Sequence, residues 1–201
     1  MYDYRRMTPE QRAYVLDLRK TRGHPWHGPP HAGNEAGYRI VTAACYEHRH
    51  LLSTPERLEW FEDELLATLH CAGVVCAAWC VLPNHYHALV LIEDVRGFSR
   101  VLGQLHGRTS HRVNLDDGTP GRKVWFRCQD RFMRSERHFH TTCNYIHHNP
   151  VRHGYVHKWQ DWLFSSVHGY LETKGRDWLL DMWREYPLKN YGDKWDVFKT
   201  A

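Results

Sequence analysis

The chain has 201 residues, of which 42% are hydrophobic and 25% charged, so it can bury a core and a wholly disordered chain is excluded. Its formal net charge of +4 excludes a histone-like polycation, and no apolar run approaches the roughly 20 residues that a membrane helix needs. The first residues lack the apolar segment of a signal peptide. We therefore expect a cytoplasmic protein without a membrane partner.

The N-terminal segment predicts a short helix followed by a linker. Thr8 is a suitable N-cap, Pro9 stands at the first helical position, and Gln11 completes a capping box. The helix is expected to end at Gly23, because residues 24–33 are too rich in proline and glycine for a helix or a strand. We thus predict three parts of the chain: an extension over residues 1–37, a main domain over residues 38–156 and a tryptophan-rich extension over residues 157–201.

The main domain is predicted to contain four strands, because apolar runs or alternating patterns recur along it. These strands are expected over residues 38–46, 74–82, 85–93 and 124–133. The turn at Pro83-Asn84 makes the second and third strands an antiparallel hairpin.

Helical periodicity lies between these strands. One helix is expected to open at Pro55, behind the N-cap Thr54, and a second is expected over residues 95–114. A third, added to the end of the domain, should begin at Ser135 and stop near Pro150. The order β-α-β-β-α-β is that of a ferredoxin-like α+β fold, in which a four-stranded antiparallel sheet carries two helices on one face.

Two histidines stand close together at the start of the third predicted strand. His85 and His87 are two residues apart, so a strand points both imidazoles to one face and Tyr86 to the other. Neutral imidazoles can hold a divalent metal. An H-x-H pair also arises readily by chance in a chain with 17 histidines, so the pair alone leaves metal binding open.

A tyrosine and an asparagine share one face of the third predicted helix. Tyr145 and Asn149 are four residues apart, which places them on neighbouring turns. The proline after Asn149 leaves the direction of its amide open. Taken alone, Tyr145 could equally be a packed or capping aromatic residue.

Basic residues are concentrated in the second half of the main domain. Residues 96–137 contain ten Lys or Arg against four acidic residues, which favours an anionic partner such as a nucleic-acid backbone over an ordinary solvated face. The candidate nucleic-acid contacts are a helical stripe of Arg96, Arg100, Arg108 and Arg112, followed by Arg122, Lys123, Arg127 and Arg131. Trp125 and Phe126 lie among them and could stack bases, although a tryptophan in a chain of this size is more often buried.

Three segments taken together resemble the single-tyrosine HUH transposases, and among them most closely the REP-associated tyrosine transposases. These segments are Pro83–Val90, Leu105–Asn114 and Tyr145–Val156. Their order and the 58-residue spacing from His87 to Tyr145 fit the family, and the resemblance covers about residues 38–170.

The resemblance implies a role for each residue of the two motifs. His85 and His87 would be the HUH histidines that bind Mg²⁺ or Mn²⁺, and Tyr145 would be the nucleophile. Asn149 occupies the position where related enzymes place a polar third ligand, often the longer Gln. Members of the family cut single-stranded DNA beside hairpins, form a 5′-phosphotyrosine and leave a 3′-OH.

The resemblance further implies a bacterial protein that is nucleoid-associated when bound to DNA with REP-like hairpins, and a monomer rather than a dimer. Two other functions stay open at this point. One is a non-catalytic or domesticated nucleic-acid-binding protein derived from such a transposase. The other is a metal hydrolase of small molecules, which would leave the basic stripe without a role.

Overall fold

The described residues of this computed structural model are 8–11, 13–14, 17, 35–193 and 195, and they divide into a unit over residues 1–34 and a unit over residues 35–201. In the first unit, the predicted capping box is present. The Gln11 N–H donates to Thr8 Oγ1 over 3.3 Å, and the Thr8 N–H donates to Gln11 Oε1 over 3.0 Å. The expected helix end at Gly23 and the linker over residues 24–33 lie outside the described residues. The boundaries at residues 37 and 156 stay predictions.

The described part of the second unit contains one four-stranded sheet and five helices longer than a single turn. They are β1 (Gly37–Ala44), α1 (Pro55–Cys71), β2 (Cys76–Leu82), β3 (His85–Ile92), α2 (Val95–Asp116), β4 (Gln129–Phe132), α3 (Glu136–Arg152), α4 (Val167–Lys174) and α5 (Arg176–Glu185). The sheet is antiparallel with the order β2-β3-β1-β4, which confirms the predicted ferredoxin-like α+β fold. Within the described ranges, no helix is long and apolar enough to cross a membrane.

The sheet buries both of its faces. On one face, the side chains of Val41, Tyr86 and Ala88 pack into a core with the apolar sides of α1 and α2. On the other face, Ile40 and Leu89 pack against α3 and the C-terminal segment. Because side chains alternate along a strand, neighbouring residues of β1 and β3 serve opposite cores.

The fourth strand is shorter than predicted. Pairing with β1 is continuous only over Gln129–Phe132, and the earlier part of the predicted strand touches the sheet through a single bridge between Trp125 and Cys45. Val124 and Trp125 are consecutive and both are buried in the core beneath α1 and α2. Two successive residues cannot point to the same face of a regular strand, so the strand cannot form there.

The helix α3 was predicted to stop near Pro150, and it continues two residues beyond it, to Arg152. Pro150 lies in the last turn, where the helix loses only the hydrogen bond that its missing N–H would donate. The helix ends at Arg152 with His153 as its C-cap, and the next residue, Gly154, has a left-handed φ of 73°. The Tyr155 N–H donates to the Pro150 carbonyl over 2.9 Å and the Gly154 N–H donates to the Val151 carbonyl over 3.0 Å, which is a Schellman motif.

A half-buried histidine lies on the helical side of the sheet. The Tyr86 hydroxyl and His106 Nε2 share a hydrogen bond of 2.9 Å, and the His106 ring stacks on Trp125 with 4.9 Å between ring centroids. Burial lowers the pKa of His106 to about 4 and raises the pKa of Tyr86 well above its usual value. Both groups are therefore neutral at neutral pH.

This histidine predicts a loss of stability in mild acid. Its pKa is lower in the folded protein than in the unfolded chain, so protons bind preferentially to the unfolded chain as the pH falls below about 6.5. We expect His106 to remove about 2 kcal/mol from the free energy of unfolding between pH 7 and pH 5. Urea denaturation at both pH values measures the free energy of unfolding. In the His106→Gln variant this free energy should fall by correspondingly less. An equal pH dependence in the variant would contradict the assignment.

Candidate active site

The two histidines of the H-x-H motif lie at the start of β3 and face α3. Both side chains are fully buried, and their ring centroids are 5.0 Å apart. Tyr86, between them, points into the opposite core, as the alternation of a strand requires. The register of the sheet sets Thr42 opposite His87 and Ala44 opposite His85.

Hydrogen bonds fix the orientation of both imidazoles through their Nδ1 atoms. His85 Nδ1 is 2.7 Å from Asn84 Oδ1, and His87 Nδ1 is 2.7 Å from Thr42 Oγ1. Each ring nitrogen of His85 faces an amide oxygen, Asn84 Oδ1 at Nδ1 and Asn149 Oδ1 at Nε2, and the tautomer with the proton on Nδ1 is the one that would offer the Nε2 lone pair to a metal. A metal-binding histidine is typically held in this way by its other ring nitrogen.

A strained turn supports this arrangement. Asn84 Nδ2 donates to the carbonyl of His48 over 3.3 Å, which fixes which end of the amide faces His85. Glu47 and His48 have φ values of 56° and 54°, a left-handed conformation that costs a residue other than glycine on the order of 1 kcal/mol or more. Such strain recurs near functional sites, where the surrounding structure holds it in place.

The helix α3 brings the tyrosine and the asparagine to the histidines. Asn149 is fully buried, and its Oδ1 is 3.1 Å from His85 Nε2. The Tyr145 ring lies edge-on to the His87 ring, with 5.3 Å between centroids. The structure thus places all four residues of the two predicted motifs in one site.

The donor set fits a divalent cation. His85 Nε2 lies 3.1 Å from the amide oxygen of Asn149, close to the separation of about 3.0 Å between adjacent ligands of an octahedral ion bound at about 2.1 Å. Asn149 Nδ2 has no hydrogen-bond partner among the described residues. Within the described ranges no group of three His, Cys, Asp or Glu side chains could hold a metal, at this site or elsewhere.

A C-terminal cover, which we define as Leu188–Asp193 with Trp195, lies over Tyr145. The tyrosine is only 1% exposed, and its ring contacts Tyr191 and Trp195 at centroid distances of 5.8 and 5.3 Å. Arg152 anchors the cover, because its Nη2 donates to the Gly192 carbonyl over 2.6 Å. The sequence did not predict this packing, since no local pattern links residues 188–195 to α3.

Two further residues at the site were not predicted. His153 caps the C-terminus of α3, and its ring centroid is 5.0 Å from that of His85. Asn84 was predicted only as part of a turn. The histidine-rich segment after Tyr145 was the available signal for His153, but the sequence does not reveal that the helix end meets β3.

The predicted basic residues separate into two groups. The four arginines of the helical stripe belong to α2, whose apolar side packs on the sheet face opposite the histidines, and two of them have acidic partners: Arg108 with Glu64 and Arg112 with Asp116, each at 2.9 Å. The acids are supplied by α1 and by the end of α2.

The second group lies after α2. Arg122 bonds to Asp117 and the Asn114 side chain, whereas Arg127 is exposed. Lys123 lies over the rings of Tyr46 and Phe126, and Arg131 stacks on Trp195 beside Tyr145. Through Trp195, Arg131 contacts the surroundings of Tyr145.

Comparison with known proteins gives sequence relatives for part of the chain. No protein-family model matches it. Over 96 residues, 45% of this chain and 53% of the relative, it is 32% identical to the REP-associated tyrosine transposase of Escherichia coli (strain K12). Over 105 residues, 45% of this chain and 57% of the relative, it is 27% identical to the Haemophilus influenzae protein named "Putative REP-associated tyrosine transposase". The chain thus spans little more than half the length of these curated relatives.

A solved structure shares the fold. The REP-associated tyrosine transposase bound to a REP hairpin matches with a TM-score of 0.60 at 20% sequence identity. The match covers 74% of this chain and 88% of that one. At this identity the likeness shows the α+β fold.

The packing of the C-terminal cover predicts the effect of one methyl group. A Cβ at Gly192 would collide with Cε2 of Tyr145, and its φ of 79° is itself unfavourable for alanine. We expect Gly192→Ala to loosen the cover and to raise the rate of trypsin cleavage after Lys189 several-fold, measured by mass spectrometry of the fragments. Gly103→Ala, on α2 with nothing within 4 Å of the new Cβ, is the matched control. Equal cleavage rates in both variants would contradict the packing.

Proposed function

We propose that this chain, a relative of the REP-associated tyrosine transposases, is a metal-dependent endonuclease and strand transferase of single-stranded DNA beside hairpins. The observation that carries the proposal is that Tyr145, His85, His87 and Asn149 lie together in one buried site of a single chain. The solved relative bound to a REP hairpin supports a hairpin as the DNA partner. Because the phenol and the imidazoles come from the same chain, a monomer would suffice for this site.

The metal would be Mg²⁺ or Mn²⁺, held by His85 and His87 with Asn149 as the third protein ligand. When bound, such an ion polarises the scissile phosphate and offsets the charge that develops in the transition state. Hard cations prefer oxygen ligands, so two imidazoles and one amide are expected to bind them weakly without phosphate and water oxygens.

Tyr145 would perform the covalent step. Its phenol oxygen forms a bond to phosphorus while the bond to the 3′ oxygen breaks, so that the phenol loses a proton and the 3′ oxygen gains one. The product is a 5′-phosphotyrosine and a free 3′-OH. The covalent bond retains the energy of the phosphodiester, so the strand can be rejoined without ATP.

One observation favours a second function, a non-catalytic or domesticated nucleic-acid-binding protein. The Tyr145 side chain is 1% exposed beneath the C-terminal cover, so a DNA strand must displace the cover before it reaches the phenol. A protein in which the cover stays closed would bind DNA without cutting it. Formation of a covalent protein–DNA adduct separates the two functions.

The nucleophile predicts the outcome of a single substitution. With Mn²⁺ and a labelled single strand that carries a hairpin, we expect Tyr145→Phe to abolish cleavage and the covalent adduct, because the phenol oxygen is lost, and to retain binding. Denaturing gels measure the adduct, and filter binding measures affinity. The control variant, Tyr186→Phe, removes a different phenol near α3. It should cleave the labelled strand normally. Cleavage by the Tyr145→Phe variant would contradict the assignment of Tyr145 as the nucleophile.

The metal site predicts a graded loss of affinity for Mn²⁺. Calorimetric titration should show binding weakened at least tenfold in His85→Ala and His87→Ala, which lack a ligand. Asn84→Ala keeps every ligand and only frees the ring of His85, so it should lose less affinity than either histidine variant. His111→Ala, an exposed histidine on α2, is the matched control. Undiminished Mn²⁺ binding in the His85 and His87 variants would contradict the site.

A further inference from the structure

An arginine lies beside Tyr145 on the same side of α3. Tyr145, Asn149 and Arg152 follow one another at spacings of four and three residues, which places them on successive turns along one stripe of the helix. The guanidinium carbon Cζ of Arg152 is 5.8 Å from the centroid of the Tyr145 ring, and the arginine is half-buried. The stripe that carries the phenol and the amide of the site therefore ends in a positive charge.

The polar partners of this arginine belong to the C-terminal cover. Among the described residues, Arg152 Nη2 donates to the Gly192 carbonyl over 2.6 Å, and Nη1 lies 3.6 Å from Oδ1 of Asp193. No other carboxylate in those ranges forms an ion pair with the guanidinium. A strand that displaces the cover to reach Tyr145 would therefore take both partners away from Arg152.

A buried arginine elsewhere in the chain is paired much more closely. Arg39 Nη1 lies 2.7 Å from the carboxylate of Asp130, which is only 16% exposed. The Asp193 carboxylate is 58% exposed and stands 3.6 Å from Arg152, and an ion pair with so exposed a partner contributes little to stability. The charge of Arg152 is thus only weakly compensated by its own chain.

The guanidinium of Arg152 suits a phosphate at the position of the cover. Arginine has five N–H donors in a planar fork, which matches two oxygens of one phosphate. The two cover atoms that contact Arg152 are also oxygens, from the Gly192 peptide and the Asp193 carboxylate. A phosphate beside Tyr145 can therefore replace both, and hydrogen bonds between two charged groups are stronger than the bond to a peptide carbonyl.

We propose that Arg152 is a further catalytic residue, whose guanidinium exchanges Gly192 and Asp193 for oxygens of the phosphate that Tyr145 attacks. This inference rests on the proposed function. While the phenol oxygen bonds to phosphorus, negative charge builds up on the other phosphate oxygens, and a guanidinium in contact with them offsets it. The same contact holds the phosphate next to the phenol, which lowers the entropy lost in reaching the transition state.

The first test separates this role from that of a simple anchor for the cover. If Arg152 only held the cover, Arg152→Ala would uncover the phenol and raise DNA cleavage. We expect instead that Arg152→Ala is cut faster by trypsin after Lys189, yet forms the covalent adduct with the labelled hairpin strand and Mn²⁺ about 100-fold more slowly or worse. Arg152→Lys keeps the charge without the planar fork, so its adduct rate should be intermediate. This second variant decides the matter if Arg152→Ala does not fold.

A binding measurement isolates the phosphate contact from the chemistry. Fluorescence anisotropy of the full chain with the same strand in EDTA gives the affinity at several salt concentrations. Each phosphate contact of a single strand adds about 0.7 to the slope of log affinity against log salt concentration. Asp193→Asn alone should bind the strand more tightly, because the competing charge is gone. In that background, where no carboxylate is left unpaired, adding Arg152→Ala should lower the slope by about 0.7.

An exposed arginine supplies the matched control. Arg184, on α5, pairs with Asp181 over 3.0 Å, and Arg184→Ala should change neither the adduct rate nor the slope. An undiminished adduct rate in Arg152→Ala or in Arg152→Lys, or an unchanged slope in the double variant, would overturn the role of Arg152 while the proposed function stands. Absence of any adduct with the unsubstituted chain would overturn both.

Discussion

The pairing of β1 with β3 is the constraint on which the site depends. Its register sets Thr42 against His87 and Ala44 against His85, so one neighbour orients an imidazole and the other leaves room beside it. A slip of one residue would turn the histidines into the opposite core and Tyr86 towards α3, which would destroy both the packing and the site. Selection for a well-packed core and selection for the site therefore act on the same strand register.

Local sequence patterns were sufficient to predict most of the fold. The cap at Thr54 and the proline after it predicted the start of α1, and the turn at Pro83-Asn84 predicted the hairpin of β2 and β3. These signals succeed because capping and tight turns are interactions between residues a few positions apart. The motif of His85 and His87 was visible for the same reason, because a strand's alternation follows directly from sequence spacing.

Long-range packing decided the features that the sequence did not predict. The burial of both Val124 and Trp125 shortened β4, and α3 continued two residues beyond Pro150 before the Schellman motif at Gly154 ended it. The acidic partners of the stripe arginines come in part from another helix, as Glu64 does for Arg108. The C-terminal cover joins Tyr145 to a segment more than 40 positions away, a contact that no periodic pattern encodes.

The strained turn at Glu47 and His48 links conformational strain to the precision of the site. Glycine at either position would relieve the left-handed backbone and raise the stability of the folded chain. The same change would widen the range of positions available to the His48 carbonyl, and through Asn84 the His85 ring would gain torsional freedom. The left-handed turn therefore lowers the thermal stability of the fold and restricts rotation of the His85 imidazole. Substitutions at this turn that raise thermal stability would make the positions of the donor atoms at the site less precise.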